Sequence, residues 1–422
     1  MLNARRSVGA YRLVCPNMCA CDPIKTFFLP FLHSASSLGA FGGKLKNFSA
    51  TELAYLASKA ALCQAKLDPS AVNVVYAGNV IQSSNDACYL ARHMGLKAGV
   101  PQHVPALTIN RLCGSGFETV IMGCEAMELG QASVALAAGT ENMSAAPFVV
   151  DGNSVRWGVP LGKGPEMKDS LWAGLTDSLA GTPMGITAEN LGAKYGITRQ
   201  ECDEFGLRSQ HLWAKAQERG ALQAEIVPVE VKTKKGIDLV TVDEHPRPQV
   251  ELAKMSKLNP VFKKDGLVTA ANASGIADGA GALVLATEDT VHAHKLEPLA
   301  RVVAWSRVGC DPSIMGIGPV EAIRGALSVS GVALADLDRI EINEAFAAQF
   351  LACAKELGLD MSKTNVHGGA IALGHPLAAS GSRIVAHLAN GLKGQQGGKK
   401  GYVMGSACIG GGQGIAVLLQ AV

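Results

Sequence analysis

The sequence predicts an α/β protein assembled from two related halves, and three observations carry that prediction. A helix-then-strand pattern occurs twice, far apart, with its landmarks in the same order. Short apolar runs alternate with amphipathic stretches, as in sheets covered by helices. The composition, 48% hydrophobic and 18% charged over 422 residues, suits large compact cores.

In the first copy, residues 51–80 read as a helix, a turn at Leu67-Asp68 and an apolar strand over 72–76. Residues 319–346 read likewise: a helix, Leu337-Asp338, then the strand Arg339-Ile340-Glu341-Ile342. Ser115-Gly116 next opens a helix with Phe117, Val120, Ile121, Cys124 and Met127 on one face. That helix stops near Gly130, and a strand over 134–138 ends at Gly139. Ser380-Gly381 opens the counterpart, with Ile384, Val385, Leu388 and Leu392 aligned, a stop near Gly394 and a strand over 402–404 ending at Gly405. Ser115 to Gly139 spans 24 positions and Ser380 to Gly405 spans 25. The boundaries expected are an N-terminal half over 25–142 with 272–292, and a C-terminal half over 293–422. Residues 143–271, more charged and richer in Pro and Gly, read as an insertion covering a cleft between the halves.

Other classes are disfavoured. A net charge of +2 gives no basis for nucleic-acid binding. No apolar run approaches the roughly 18–20 residues of a membrane span, so no integral membrane protein is expected. Eleven cysteines without disulfide-type spacing read as reduced thiols. Cys15, Cys19 and Cys21 lack a following pair at zinc-ligand spacing, so no metal site is expected. Arg5, Arg6 and Arg12 precede the first acidic residue, Asp22, which predicts a mitochondrial leader over residues 1–24, or an unstructured tail.

Three Gly-rich segments carry reactive side chains. In Asn110-Arg111-Leu112-Cys113-Gly114-Ser115-Gly116, Cys113 follows an apolar strand and precedes a helix. A helix N-terminus favours the thiolate, so a lowered thiol pKa is expected there. In Gly368-Gly369-Ala370-Ile371-Ala372-Leu373-Gly374-His375-Pro376, His375 stands before the second copy's helix nearly as Cys113 stands before the first's. Pseudo-twofold packing would turn both helix starts to one cleft, giving a nucleophile and its base. Gly405-Ser406-Ala407-Cys408-Ile409-Gly410-Gly411-Gly412 reads as a loop after the last apolar strand, with backbone N–H groups free for an oxyanion beside a second thiol. Each segment alone has an ordinary structural explanation; together they point to catalysis. The basic run Lys232-Thr233-Lys234-Lys235 is either a phosphate contact or a solvated hairpin.

Asn110–Gly116, Asn343-Glu344-Ala345-Phe346, the Gly368-to-Pro376 segment and Cys408-to-Gly412 resemble the four signature blocks of the thiolase family, with similarity from about Leu38 to Val422. The resemblance implies two pseudo-symmetric α/β halves forming a layered α-β-α-β-α core with an inserted loop domain. It implies an acyltransferase with Cys113 as acyl-accepting nucleophile, His375 as its base and Cys408 as second acid/base. Asn343 would hold a water that forms one oxyanion hole with His375; the backbone N–H groups of Cys113 and Gly410 would form the other. Arg247 and Ser274 match family contacts to coenzyme A (CoA), and Phe346 should line the pantetheine tunnel. CoA would be a substrate, no metal or redox cofactor would be required, and the partner would be a second copy in a homodimer or homotetramer.

Asp169-Ser170-Leu171-Trp172 and the segments 231–236 and 309–319 resemble the branch that degrades 3-ketoacyl-CoA in fatty acid β-oxidation, which implies the mitochondrial matrix. The alternative is acetyl-CoA C-acetyltransferase (acetoacetyl-CoA thiolase) activity, since the catalytic blocks are common to both. A non-catalytic acyl-CoA binder would need no paired thiols. The chain departs from the family pattern at His367, where Asn is usual, at Ala271 and Ala378 in place of glycines, and at Val250 in place of Thr. Those side chains are expected to narrow backbone clearance and weaken CoA binding. Ala35-Ser36-Ser37 replaces the usual turn before the Gly-Gly segment, and Phe27-Phe28-Leu29 is the substitute expected for the first strand.

Overall fold

The computed structural model describes residues 26–28, 33–393 and 401–422. The leader expected over residues 1–24, the cysteines within it and the helix stop at Gly394 lie outside the described residues. The main sheet runs through β1 (Thr26–Phe28), β2 (His33–Ala40), β3 (Val74–Gly78), β4 (Ala106–Ile109), β5 (Val134–Asn142), β6 (Ala277–Thr287), β7 (Ala300–Gly309), β8 (Leu337–Ile342), β9 (Tyr402–Ile409) and β10 (Gln413–Ala421). The helices that matter are α1 (Ala50–Gln64), α2 (Leu90–Lys97), α3 (Ser115–Glu128), α4 (Met184–Tyr195), α5 (Arg199–Glu218), α6 (Gly318–Ser330), α7 (Ala347–Leu357), α8 (Ala370–Leu373) and α9 (Leu377–Gly391).

The two halves repeat in strand order and direction. In the first, β4 pairs parallel with β3, β3 parallel with β5, β5 antiparallel with β6, and β6 antiparallel with β2. In the second, β8 pairs parallel with β9, β9 antiparallel with β10, and β10 antiparallel with β7. A single parallel bridge from Ile340 to Thr364 stands where β4 stands in the first half. β1 pairs with both β6 and β7 and so joins the halves at their edges. Of the expected substitute strand, Phe27 and Phe28 lie in β1, Leu29 falling outside the described residues, and Ala35-Ser36-Ser37 lies within a strand, β2, where the family's turn was expected.

Packing makes these elements into layers. α1 and α2 bury Leu53, Leu62, Leu90 and Met94 on the outside of the first sheet half. α6 and α7 bury Ile323 and Phe350 on the outside of the second. Between them α3 and α9 bury Phe117, Ile121, Ile384 and Leu388 against strands of both halves. Each such side chain contributes about 1.5–3 kcal/mol of burial. The central helices meet through glycine: a Cβ on Gly116 would lie 2.4 Å from the Ser382 amide nitrogen, and one on Gly381 would lie 2.4 Å from that of Phe117. The paired Ser-Gly landmarks of the sequence are thus the crossing points of the two helices.

Two sequence readings shift. Leu67-Asp68 and Leu337-Asp338 are not equivalent, because Asp68 caps the 3-10 turn Pro69–Ala71 before β3, whereas Leu337 follows the corresponding turn Leu334–Asp336 and opens β8. The Gly405 segment is not a loop after the last strand. β9 continues through Cys408 to Ile409, and Gly410–Gly412 closes a hairpin onto β10. Between β5 and β6 the chain forms α4, α5 and small two-stranded pairings. α5 packs on α8 and α7 beside the cleft. Among the described residues no helix is long and apolar enough to cross a membrane.

Candidate active site

Cys113 sits on an elbow. β4 ends at Ile109, a 3-10 turn spans Leu112–Gly114, and α3 begins at Ser115. Leu112 takes φ +47°, a conformation that L residues resist. Two side chains hold it there: Asn110 Oδ1 accepts from the Leu112 N–H at 2.9 Å, and Ser115 Oγ donates to the Leu112 carbonyl at 2.7 Å. The turn presents Cys113 to a cleft of about 600 Å³ whose walls include His375, Ser274, Phe346, His245, Met143, Leu171, Trp172 and Met315.

The expectation of a lowered thiol pKa is overturned. Burial pushes the Cys113 thiol up to about 11, aided by the nearby Glu141 carboxylate; the N–H groups of Gly410 and of Cys113 itself pull it down but do not prevail. The thiol is partly open to the cleft, yet its surroundings are apolar enough that desolvation outweighs the helix start. The resting nucleophile is therefore a neutral thiol, and it needs a base.

His375 is that candidate. Gly374, at φ +93°, brings it in, and a Cβ at Gly374 would fall 2.6 Å from that of Ala277. The His375 N–H donates to the Gly275 carbonyl at 2.8 Å. Its ring lies between Ser380 Oγ, 2.6 Å from Nδ1, and Asn343 Nδ2, 3.4 Å from Nε2. The Asn343 amide nitrogen only donates, so Nε2 is the bare nitrogen and Nδ1 donates its proton to Ser380. Burial, and then the charge of Arg383, hold the imidazole down at about 4. Ser380 reads in the sequence as the opener of its helix, but α9 begins at Leu377, and Ser380 fixes the tautomer of the base from just inside that helix. Ser380→Ala should lower kcat about tenfold, the worth of one such hydrogen bond, with KM unchanged in steady-state thiolysis assays.

Asn343 follows β8, and its Oδ1 is buried without a protein partner beside the His375 ring. Glu344 anchors this corner: its carboxylate accepts from Ser209 Oγ at 2.6 Å, Asn365 Nδ2 at 2.9 Å and the Ile371 N–H at 3.2 Å. Ser209 comes from α5, so the segment between β5 and β6 helps to hold the site. Cys408, buried on β9, packs with Met315 and Ala345, and burial above all pushes its thiol well up.

Ser274 donates through Oγ to the Ala345 carbonyl at 3.0 Å, and the Phe346 ring meets that of Phe262 edge-on, 6.3 Å between centres. Arg247 is exposed and is not part of the cleft wall; its Nη1 donates to the carbonyls of Glu244, His245 and Pro246. The Lys232 run forms the exposed tip of the hairpin Val229–Thr233/Gly236–Val240, also off that wall. Val250, Ala271, His367 and Ala378 do not line the cleft either. Ala378 is fully buried in α9, and His367 Nδ1 lies 2.9 Å from His387 Nε2. The narrowing expected from these substitutions therefore does not occur at the cleft itself.

Residues 34–289 match the family described as thiolase, N-terminal domain, and residues 296–421 match thiolase, C-terminal domain. This chain belongs to the thiolase family. The thiolase is 57% identical over 382 residues to the human protein "3-ketoacyl-CoA thiolase, mitochondrial", covering 90% of this chain and 95% of that one. It is 46% identical over 385 residues to an acetyl-CoA acetyltransferase of Escherichia coli (strain K12), covering 91% and 96%. The crystal structure of human mitochondrial 3-ketoacyl-CoA thiolase superposes on this thiolase with a TM-score of 0.92 at 54% identity, covering 95% of this chain and all of that one. The same human enzyme in complex with CoA gives 0.90 at 53% identity, covering 95% and 99%.

Proposed function

We propose that this thiolase cleaves 3-ketoacyl-CoA thioesters with CoA, yielding acetyl-CoA and a shortened acyl-CoA in fatty acid β-oxidation. The observation carrying this reading is that Cys113 and the bare-nitrogen imidazole of His375 share one cleft, with Cys408 buried behind it. His375 Nε2 takes the thiol proton while the Cys113 sulfur attacks the 3-keto carbon. The resulting oxyanion is held by the N–H groups of Cys113 and Gly410. Collapse breaks the C2–C3 bond, and its electron pair becomes the acetyl-CoA enolate, stabilised from the Asn343 and His375 side. Such preorganised donors contribute about 3–4 kcal/mol each. Cys408 protonates C2 and acetyl-CoA leaves. The thiol of a second CoA then attacks acyl-Cys113, giving its proton to the Cys408 thiolate. As the Cys113–acyl bond breaks, the departing sulfur recovers the proton held by His375. Two half-reactions through one covalent intermediate give ping-pong kinetics.

Ser274 and Phe346 would contact the pantetheine arm, and exposed Arg247 would meet CoA at the cleft's mouth. CoA enters as substrate. A homodimer or homotetramer is the working assembly in this reading, which light scattering at micromolar concentration tests: a monomer mass overturns it. The relatives named as mitochondrial support a mitochondrial site of action, and the matrix is our finer reading. Thiolysis of a short and a long 3-ketoacyl-CoA tests the activity. Turnover of both is expected; turnover of acetoacetyl-CoA alone would select the acetyl-CoA C-acetyltransferase reading, and turnover of neither would overturn both.

A further inference from the structure

Glu141 is a buried carboxyl that the reaction as drawn does not use. It stands near the end of β5, and four N–H groups converge on it. Oε1 accepts from Asn79 Nδ2 and from the Ile81 N–H, both at 2.9 Å. Oε2 accepts from the Val80 N–H at 3.1 Å and from the Ala378 N–H at 3.2 Å. Two donors on each oxygen are what a carboxylate accepts and a protonated carboxyl cannot.

The two donors on Oε2 belong to opposite sides of the site. The Val80 carbonyl accepts from Asn110 Nδ2 at 3.2 Å, and Asn110 Oδ1 holds the Leu112 N–H of the Cys113 elbow. Val80 and Ile81 also belong to the apolar cluster that packs on Cys113. Ala378 lies in the first turn of α9, three residues after His375. Pro376, just before that helix, has no side chain able to cap it, and a carboxylate at a helix start is favourable. β5 sits hard against the same turn, since a Cβ on Gly139 would collide with the Ala378 carbonyl. Resting on the activity proposed above, we propose that Glu141 is a positioning residue whose Oε2 ties the Cys113 elbow to the helix turn behind His375, and so sets nucleophile and base at reacting distance.

The test is a double-mutant cycle of Glu141→Gln with His375→Ala. The readout is kcat/KM for cleavage of a 3-ketoacyl-CoA by the full-length enzyme, taken on the alkaline side of neutrality because burial pushes the Glu141 carboxyl up. Gln keeps the shape but offers one acceptor oxygen, so at least one of the N–H groups loses its partner. With His375 present, Glu141→Gln should lower kcat/KM about tenfold, through kcat with KM unchanged. With His375→Ala there is no base left to position. Removing the charge that raises the Cys113 thiol then eases its ionisation, so the rate should stay level or rise. A purely structural role would cost the same factor in both backgrounds. That outcome overturns the proposal, as does an undiminished rate in Glu141→Gln alone. If circular dichroism shows Glu141→Gln unfolded, Glu141→Asp takes its place, since it keeps the charge and both oxygens but withdraws them by one methylene. A loss confined to the background with His375 is again expected, and equal losses again overturn the assignment. Wild-type inactivity on 3-ketoacyl-CoA itself would instead overturn the activity, and this assignment with it.

Discussion

Cys113→Ala is expected to lower thiolysis by about 10⁶-fold, the scale of losing a covalent nucleophile from a preorganised site. The variant should stay folded: the Leu112 elbow is held by Asn110 and Ser115, and the lost sulfur meets only the backbone N–H groups of Gly410 and of Cys113 itself. The measurement is the rate of 3-ketoacyl-CoA loss together with intact-protein mass. Wild type exposed to 3-ketoacyl-CoA without free CoA should gain one acyl group, and Cys113→Ala none. An acyl adduct persisting in the variant would move the nucleophile elsewhere, Cys408 being the first place to look.

Removing the base should change the shape of the pH profile as well as its height. With the imidazole held at about 4 and the thiol at about 11, both partners are neutral across the intervening range, and the proton must move during attack. In wild type, kcat/KM should hold through neutrality and fall as pH drops toward 4, where His375 is protonated and no longer a base. In His375→Ala attack must wait for spontaneous ionisation, which reaches only about one thiol in 10⁴ at pH 7 for a thiol near 11. The rate should drop about 10²–10⁴-fold at neutrality. It should then climb nearly tenfold per pH unit up to the thiol pKa. A variant whose profile stays flat would assign the proton transfer to another group.

Much of this arrangement is legible in residues alone. Periodic apolar faces placed α3 and α9, and the position of His375 before its helix mirrored that of Cys113. What escaped had physical reasons. Gly405 reads as the end of a strand, but β9 runs on through it, paired with β8 and β10. The position is glycine because α3 and α9 lie too close for a side chain, a Cβ there standing 3.0 Å from Ile384 Cγ2 and from Phe117 Cε1. Glycine in that strand marks close packing of layers, which one-dimensional pattern cannot separate from a turn. The raised Cys113 thiol is not legible locally, because the sequence displays the helix start and conceals the desolvation that outweighs it. Glu344 gains its role only through partners far along the chain, such as Ser209, and Ser380, though near His375 in sequence, shows which ring nitrogen it meets only once the chain is folded.

The glycine crossing of α3 and α9 bears on how such an enzyme diversifies. Nucleophile and base ride at the starts of two helices that touch backbone to backbone, with no side chain between them to be enlarged or trimmed. The separation of the reacting groups is thus closed to gradual adjustment, since either glycine can change only by prising the helices apart. New substrate lengths must be accommodated elsewhere, in the replaceable panels contributed by Leu171, Trp172 and their neighbours. Chemistry is inherited as a fixed unit, while range is free to drift.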